Sequence, residues 1–235
     1  MRTISIFVLS VLALTTMAQV RHIALSEKYA LPSDAVMTEY IRLVEASNKR
    51  DLTPAELRHT EQIVEDNAVF DDLYSGKCSW YCGGVIDTIT ASSSLSSSRT
   101  INYGPNNAHD FDHTTAWVEG ADGPGIGESL TYEFPGGCPR ITTVKILNGY
   151  VKNEKAWREN NRVKQLRIWY EGKPLAILDL EDTRDMQCFE VGTLGYNDSD
   201  AAKWKLRFEI VAVYPGTKFN DTAITELNFD GIDVH

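Results

Sequence analysis

Basic residues are scarce in this 235-residue chain: 23 Lys and Arg stand against 33 Asp and Glu, giving a formal charge of −10 at pH 7. Such a surface lacks the positive footprint on which phosphate-backbone binding depends, so a nucleic-acid-binding role is excluded. Beyond the first residues no stretch approaches the roughly 18 apolar residues needed to cross a bilayer as a helix, so no membrane span is expected. Sixteen glycines and eight prolines rule out a collagen-like chain, and 43% hydrophobic with 24% charged residues is the balance of a soluble globular protein. Catalytic signatures are missing too: there is no G-x-S-x-G elbow, no H-E-x-x-H and no P-loop. Gly123-Pro124-Gly125-Ile126-Gly127 precedes a strand rather than a helix, so it reads as a turn and not as a phosphate cradle. No internal repeat is visible, and the Ser-rich run 92–98 reads as a loop or strand end.

What is present begins with Met1-Arg2, an apolar run Ile4–Leu14, and Thr16-Met17-Ala18. A basic start, a hydrophobic centre and a small-residue cleavage site describe a signal peptide cut after Ala18. The mature chain is therefore expected to be exported, to the periplasm or to the cell surface and beyond. Export places Cys78, Cys82, Cys138 and Cys188 in an oxidising compartment that favours pairing, with three connectivities open. Cys78-x3-Cys82 and His109-x3-His113 have the outer spacings of a zinc site, but the 26-residue gap between them is too long for a finger. Asn197-Asp198-Ser199 and Asn220-Asp221-Thr222 are glycosylation sequons that matter only in a eukaryotic secretory route.

Residues 33–70 carry helical periodicity. Val36, Tyr40, Leu43, Val44 and Ser47 fall on one face, and Thr53-Pro54 with Glu56 announces a second capped helix, with Leu52 and Leu57 as its staple. Two short amphipathic helices cannot stand alone, so they are expected to pack on the following domain or on a partner. From about Cys82 the pattern switches to period two, cleanest in Trp204, Leu206, Phe208 and Ile210 alternating with Lys205, Arg207 and Glu209. Strands are expected near 85–92, 128–134, 141–148, 163–170, 174–180, 186–191, 204–213 and 223–230. That is a mainly β chain, a jelly-roll β-sandwich preceded by a short helical N-terminal region.

Carboxylates are plentiful, including Glu119, Asp122, Glu128, Asp179, Glu181 and Asp182, but the sequence brings no pair to a common cleft as hydrolysis would require. The loops are more informative. One carries Trp117, Glu119 and Asp122; a second carries Asn148, Tyr150, Trp157, Asn160 and Arg162, with Asn161; a third runs from Tyr214 through Lys218 to Asp221. A sugar offers a flat apolar face to an aromatic ring and hydroxyls that need paired donors and acceptors, and these loops hold both kinds of group. The competing role for each aromatic is core packing or loop anchoring.

The runs Ser79-Trp80-Tyr81-Cys82-Gly83-Gly84, Tyr103 to Glu128 (YGPNNAHDFDHTTAWVEGADGPGIGE), Leu147 to Arg167 (LNGYVKNEKAWRENNRVKQLR) and Val213 to Gly231 (VYPGTKFNDTAITELNFDG) resemble the NADase-type glycan-binding domain, a relative of discoidin and coagulation-factor type C modules. The resemblance covers about residues 79–235 and implies a galactose-binding-domain-like jelly roll that binds carbohydrate, without catalysis, through loops at one end. It divides the chain into a signal peptide (1–18), a helical N-terminal region (19–77) and a discoidin-like domain (78–235). The segments outside it leave no room for an NAD-glycohydrolase domain, so that activity is not carried over. No cofactor is required. Many relatives hold a structural calcium, and Asp110, Asp112, Thr115 and Glu226 are similarly placed; the bland alternative is that Asp110 and Thr115 bond their own turn. Carbohydrate is the expected partner, with a protein docking on residues 20–77 as the second reading and a glycan-active hydrolase as the third.

Overall fold

The computed structural model describes residues 20–67, 69, 79–98 and 101–234. The expected signal peptide, Cys78 and the end of the helical stretch at residue 70 lie outside the described residues.

The helical reading is borne out locally. Helix α1 (Asp34–Ser47) is capped by the Ser33 hydroxyl, and α2 (Pro54–Asp66) opens on a complete capping box. In that box Thr53 Oγ1 accepts from the Glu56 N–H at 3.3 Å, and Glu56 accepts from the Thr53 N–H at 2.9 Å. Arg50 adds a two-pronged contact, and hydrogen bonds from Arg50 and Thr53 hold the Glu56 carboxyl down at about 2. Met37, Leu43 and Ile63 are buried between the helices, with Val36 and Tyr40 against them. The expected staple is not: Leu57 is 51% exposed.

Two short strands unforeseen in the sequence tie the N-terminal region to the sandwich. Strands β1 (Arg21–Ile23) and β2 (Glu27–Tyr29) add to β8 (Lys173–Asp179) in parallel and to β9 (Met186–Leu194) in antiparallel register. Three residues are too few to show alternation. Tyr29, Leu31 and Val69 then pack with Leu147, Val151 and Met186, so this region shares a core with the sandwich.

The remaining strands are β3 (Thr88–Ala91), β4 (Trp117–Val118), β5 (Ser129–Phe134), β6 (Arg140–Asn148), β7 (Asn161–Tyr170), β10 (Trp204–Tyr214) and β11 (Thr222–Ile232). They run in the order β2-β9-β6-β11-β7-β10-β5-β3, but β11 meets β7 only through Thr222 and Ala223. That short parallel contact is the corner at which one layer turns over the other, closing the jelly-roll sandwich. Alternation does what it predicts: Trp204, Leu206, Phe208 and Ile210 are buried, and Trp169 on the outer face of β7 donates to Glu209 under the Arg207 guanidinium. Strand β11 breaks the rule, because Thr222 through Phe229 are all buried.

The core between the layers is aromatic. Phe229 of β11 meets Tyr132, Phe134 and Phe208 across it, and Trp80, from a 3₁₀ turn, plugs its edge with Nε1–H on the Pro139 carbonyl at 2.7 Å. Gly84 lies flat against that indole, where a Cβ would come within 2.4 Å of the ring. No disulfide forms among the described residues; Cys138 instead sits beside the main chain of Val85. No helix among them is long and apolar enough to cross a membrane. Trp80→Ala should lower the unfolding free energy by about 3–5 kcal/mol in urea titration. Gly84→Ala should cost about 1–3 kcal/mol by forcing the same ring aside.

Candidate functional site

At the corner end of the sandwich, where β4 and β6 finish and β11 begins, three loops converge on a cavity of about 200 Å³. Its aromatic walls are Tyr103, Tyr150 and Phe219. Glu159, Asn160 and Asp221 supply polar groups, and Leu95, Val118 and Ala156 complete the lining. The floor is fixed from below: Ala116, Val118 and Ala223 form a small buried cluster against which Leu95, Tyr103 and Tyr150 pack.

Each wall has a local cause. Asn107, itself buried, donates to the carbonyls of Asn102 at 2.7 Å and Ala116 at 3.3 Å, clamping the loop that carries Tyr103. Gly149 has φ +84°, and a Cβ there would strike Arg162 and Trp157, so Asn148-Gly149-Tyr150 needs its glycine. The Thr225 hydroxyl donates to the Gly149 carbonyl at 2.7 Å and accepts from the Val151 N–H at 3.0 Å, holding that turn to β11. Tyr150 then reaches the Thr114 carbonyl with its hydroxyl, at 3.2 Å. Helix α3 (Glu154–Glu159) follows, and its last carbonyls, of Arg158 and Glu159, accept from the N–H groups of Thr217, Lys218 and Phe219. The third loop is thus moulded on the end of α3.

Of the residues singled out in the sequence, Tyr150, Asn160 and Asp221 line the cavity, and Lys218 stands exposed beside it, 4.6 Å from the Phe219 ring centre and 3.7 Å from Glu159. The others lie elsewhere. Trp117 is fully buried in the main core with Nε1–H on the Ser93 carbonyl, so it presents no stacking face. Glu119 is buried, accepting from the N–H groups of Ala121 and Thr222, and burial pushes its carboxyl up. The Asn148 amide is consumed in pairing with both main-chain groups of Val163. Trp157 anchors α3 through the Asn148 carbonyl and lies under the Arg162 guanidinium. Arg162 is 7% exposed and saturated by Asp182 and the carbonyls of Asn160 and Pro215. Tyr214 bonds the Leu180 carbonyl, and Asp122 is an exposed loop residue outside the lining. Tyr103, Glu159 and Phe219 were not singled out. Their signal was the same as that of the residues chosen, an aromatic or carboxylate inside a turn-rich loop.

A second arrangement lies behind the Thr114 contact. Asp110 accepts from the Asp112 N–H at 3.0 Å and the Thr115 hydroxyl at 2.7 Å, while Asp112 accepts from Thr114. Those are the bonds of a self-contained turn. Glu226 is different: it is 1% exposed, and neither carboxylate oxygen, nor Oδ1 of neighbouring Asn228, has a hydrogen-bond partner among the described residues. Burial first, then the nearby Asp110 charge, pushes the Glu226 carboxyl well up. Burial also raises Asp110. Buried oxygens left without donors beside a second carboxylate fit a hard, oxygen-seeking cation. No group of three or more His, Cys, Asp or Glu gathers at one point among the described residues, so main-chain carbonyls, Thr115 and water would have to complete its shell.

Several solved structures are similar at low identity. The CBM32-1 and CBM32-2 domains of Clostridium perfringens ZmpB, in complex with GalNAc, align at 15% identity with TM-score 0.47 over 72% of this chain and 38% of that one. CpGH89CBM32-5 from the same organism, in complex with GalNAc-β-1,3-galactose, aligns at 13% with TM-score 0.43 over 61% of this chain and 94% of that one. The mycobacterial arabinofuranosyltransferase AftD (mutant R1389S, class 2) aligns at 17% with TM-score 0.42, over 62% of this chain and 11% of that one. No curated protein matches. Residues 80–230 match the family model described as NAD glycohydrolase translocation F5/8 type C domain. That match takes in well over half of the sequence, and the chain belongs to this family.

Proposed function

We propose that this protein is an exported, non-catalytic carbohydrate-binding module that holds one sugar ring in the cavity between Tyr150, Phe219 and Asp221. The observation that carries the reading is the make-up of that cavity: aromatic faces set around hydrogen-bonding side chains on a rigid apolar floor. At about 200 Å³ it is smaller than the roughly 300–1,000 Å³ of pockets for drug-sized ligands, which suits a single ring rather than a chain. Sugar C–H faces pack on Tyr103, Tyr150 or Phe219, while Glu159 and Asp221 accept from hydroxyls and Asn160 offers its amide. The family membership and the signal-peptide-like start support the same reading.

We also propose that Asp110 and Glu226 hold a calcium ion, with Thr115 and Asp112 in the same turn. When bound, the ion would supply charge neutralisation to two buried carboxylates. This chain's residues carry the effect onward, since Thr114 between them is the partner of the Tyr150 hydroxyl.

On a glycan array the mature protein should give a specific, saturable signal; a folded sample with none would overturn the carbohydrate reading. Phe219→Ala and Tyr150→Ala should each weaken binding about two- to tenfold by calorimetry, on the order of 0.5–1.5 kcal/mol, with the fold intact. Trp117→Ala should instead act on stability, lowering the urea midpoint. Calcium should raise the melting temperature at pH 7.5 and Glu226→Gln should abolish that rise. The rise should shrink toward pH 5, because the raised carboxyl of Glu226 holds a proton to higher pH than in the unfolded chain and calcium must displace it.

A further inference from the structure

Helix α3 carries Ala156, Glu159 and Asn160 into the cavity and templates the loop that carries Phe219. It is only six residues long, well below the length at which a helix holds itself together in water, so its placement depends on what grips its ends. The C-terminal end is gripped by the third loop. At the N-terminal end, Asn153 Oδ1 takes the Ala156 N–H at 2.8 Å, and the Glu154 N–H goes to Oδ2 of Asp34 at 2.9 Å. Asp34 is the first residue of α1, 120 positions earlier in the chain. Its other oxygen accepts from Arg184 Nη2 at 2.7 Å, and the same nitrogen donates to the Val151 carbonyl at 2.8 Å. Arg184 Nη1 reaches the Glu154 carboxylate at 3.2 Å. One carboxylate from the N-terminal region thus caps α3 directly and locks the arginine that braces the turn before it.

We propose that Asp34 is a positioning residue for the sugar cavity: through it the N-terminal helix pair sets where α3 stands, and with it Glu159, Asn160 and Phe219. The ligand side of this inference rests on the carbohydrate-binding reading, whereas the clamp on α3 does not. Amide hydrogen exchange on the full chain reads the clamp, and calorimetry with the sugar that gives the strongest array signal reads its consequence. Asp34→Ala should speed exchange across residues 154–160 about tenfold while the β10 amides keep their wild-type rates, and should weaken the sugar several-fold. Asp34→Asn keeps an acceptor for the Glu154 N–H and is the variant expected to remain closest to wild type, so both effects should be smaller in it. Unchanged exchange at 154–160 in Asp34→Ala would overturn the clamp. Faster exchange with unaltered affinity would overturn its link to the site. A wild-type protein that binds no sugar, with exchange still faster in Asp34→Ala, would sink the carbohydrate reading and leave the clamp standing.

Discussion

The burial of β11 on both faces is the constraint from which the loop end of this molecule follows. A strand covered on one side by the aromatic core and on the other by loops cannot leave its polar side chains to water. Its threonines therefore dictate their neighbours. Thr225 ties down the turn at Gly149, and Thr222 donates its hydroxyl to the Pro124 carbonyl and its N–H to Glu119. Asn161 serves the same end from β7, its Nδ2 donating to the Asn220 carbonyl at 2.6 Å and its Oδ1 accepting from the Gly216 N–H at 2.7 Å. Both oxygens of Glu226, and Oδ1 of Asn228, are buried without a hydrogen-bond partner among the described residues.

These bonds make the cavity a rigid feature, although loops build it. Its floor belongs to β4 and β11, its walls are bonded to that floor, and α3 is held at both ends. Preorganisation of this kind matters for a small polar ligand, whose few contacts cannot also bear the cost of ordering a mobile loop. The N-terminal region belongs to the same scheme. Its two strands extend the layers, its apolar residues share a core with Leu147 and Met186, and Asp34 reaches α3.

Strands with one solvated face were legible because their alternation is dictated by the pleat: β5, β7 and β10 lie within two residues of their expected bounds. The capping box of α2 was equally plain, being a purely local arrangement. Strands β1 and β2 were invisible, since three residues carry no period and their pairing comes from a distant sheet edge. Two of the three expected loops, those carrying Tyr150 and Asp221, border the cavity, while the first wall comes from the segment of Leu95 and Tyr103 and not from the loop of Glu119 and Asp122. Trp117 and Tyr150 look alike in sequence, both aromatic and both in turn-rich segments; one is in the core and the other faces the cavity.

Composition and patterning by themselves determined a mainly β sandwich with a helical preface, a net acidic charge, and the turn-rich segments that separate its strands. Those properties are written in local periodicity and in charge, which need no knowledge of distant partners. Only the tertiary structure decided which side chains are free to act. Arg162 and Asn148 have the chemistry of sugar ligands, yet Asp182 and Val163 occupy their polar groups, and those partners, 20 and 15 residues further along the chain, are brought to them only by the packing of the sandwich.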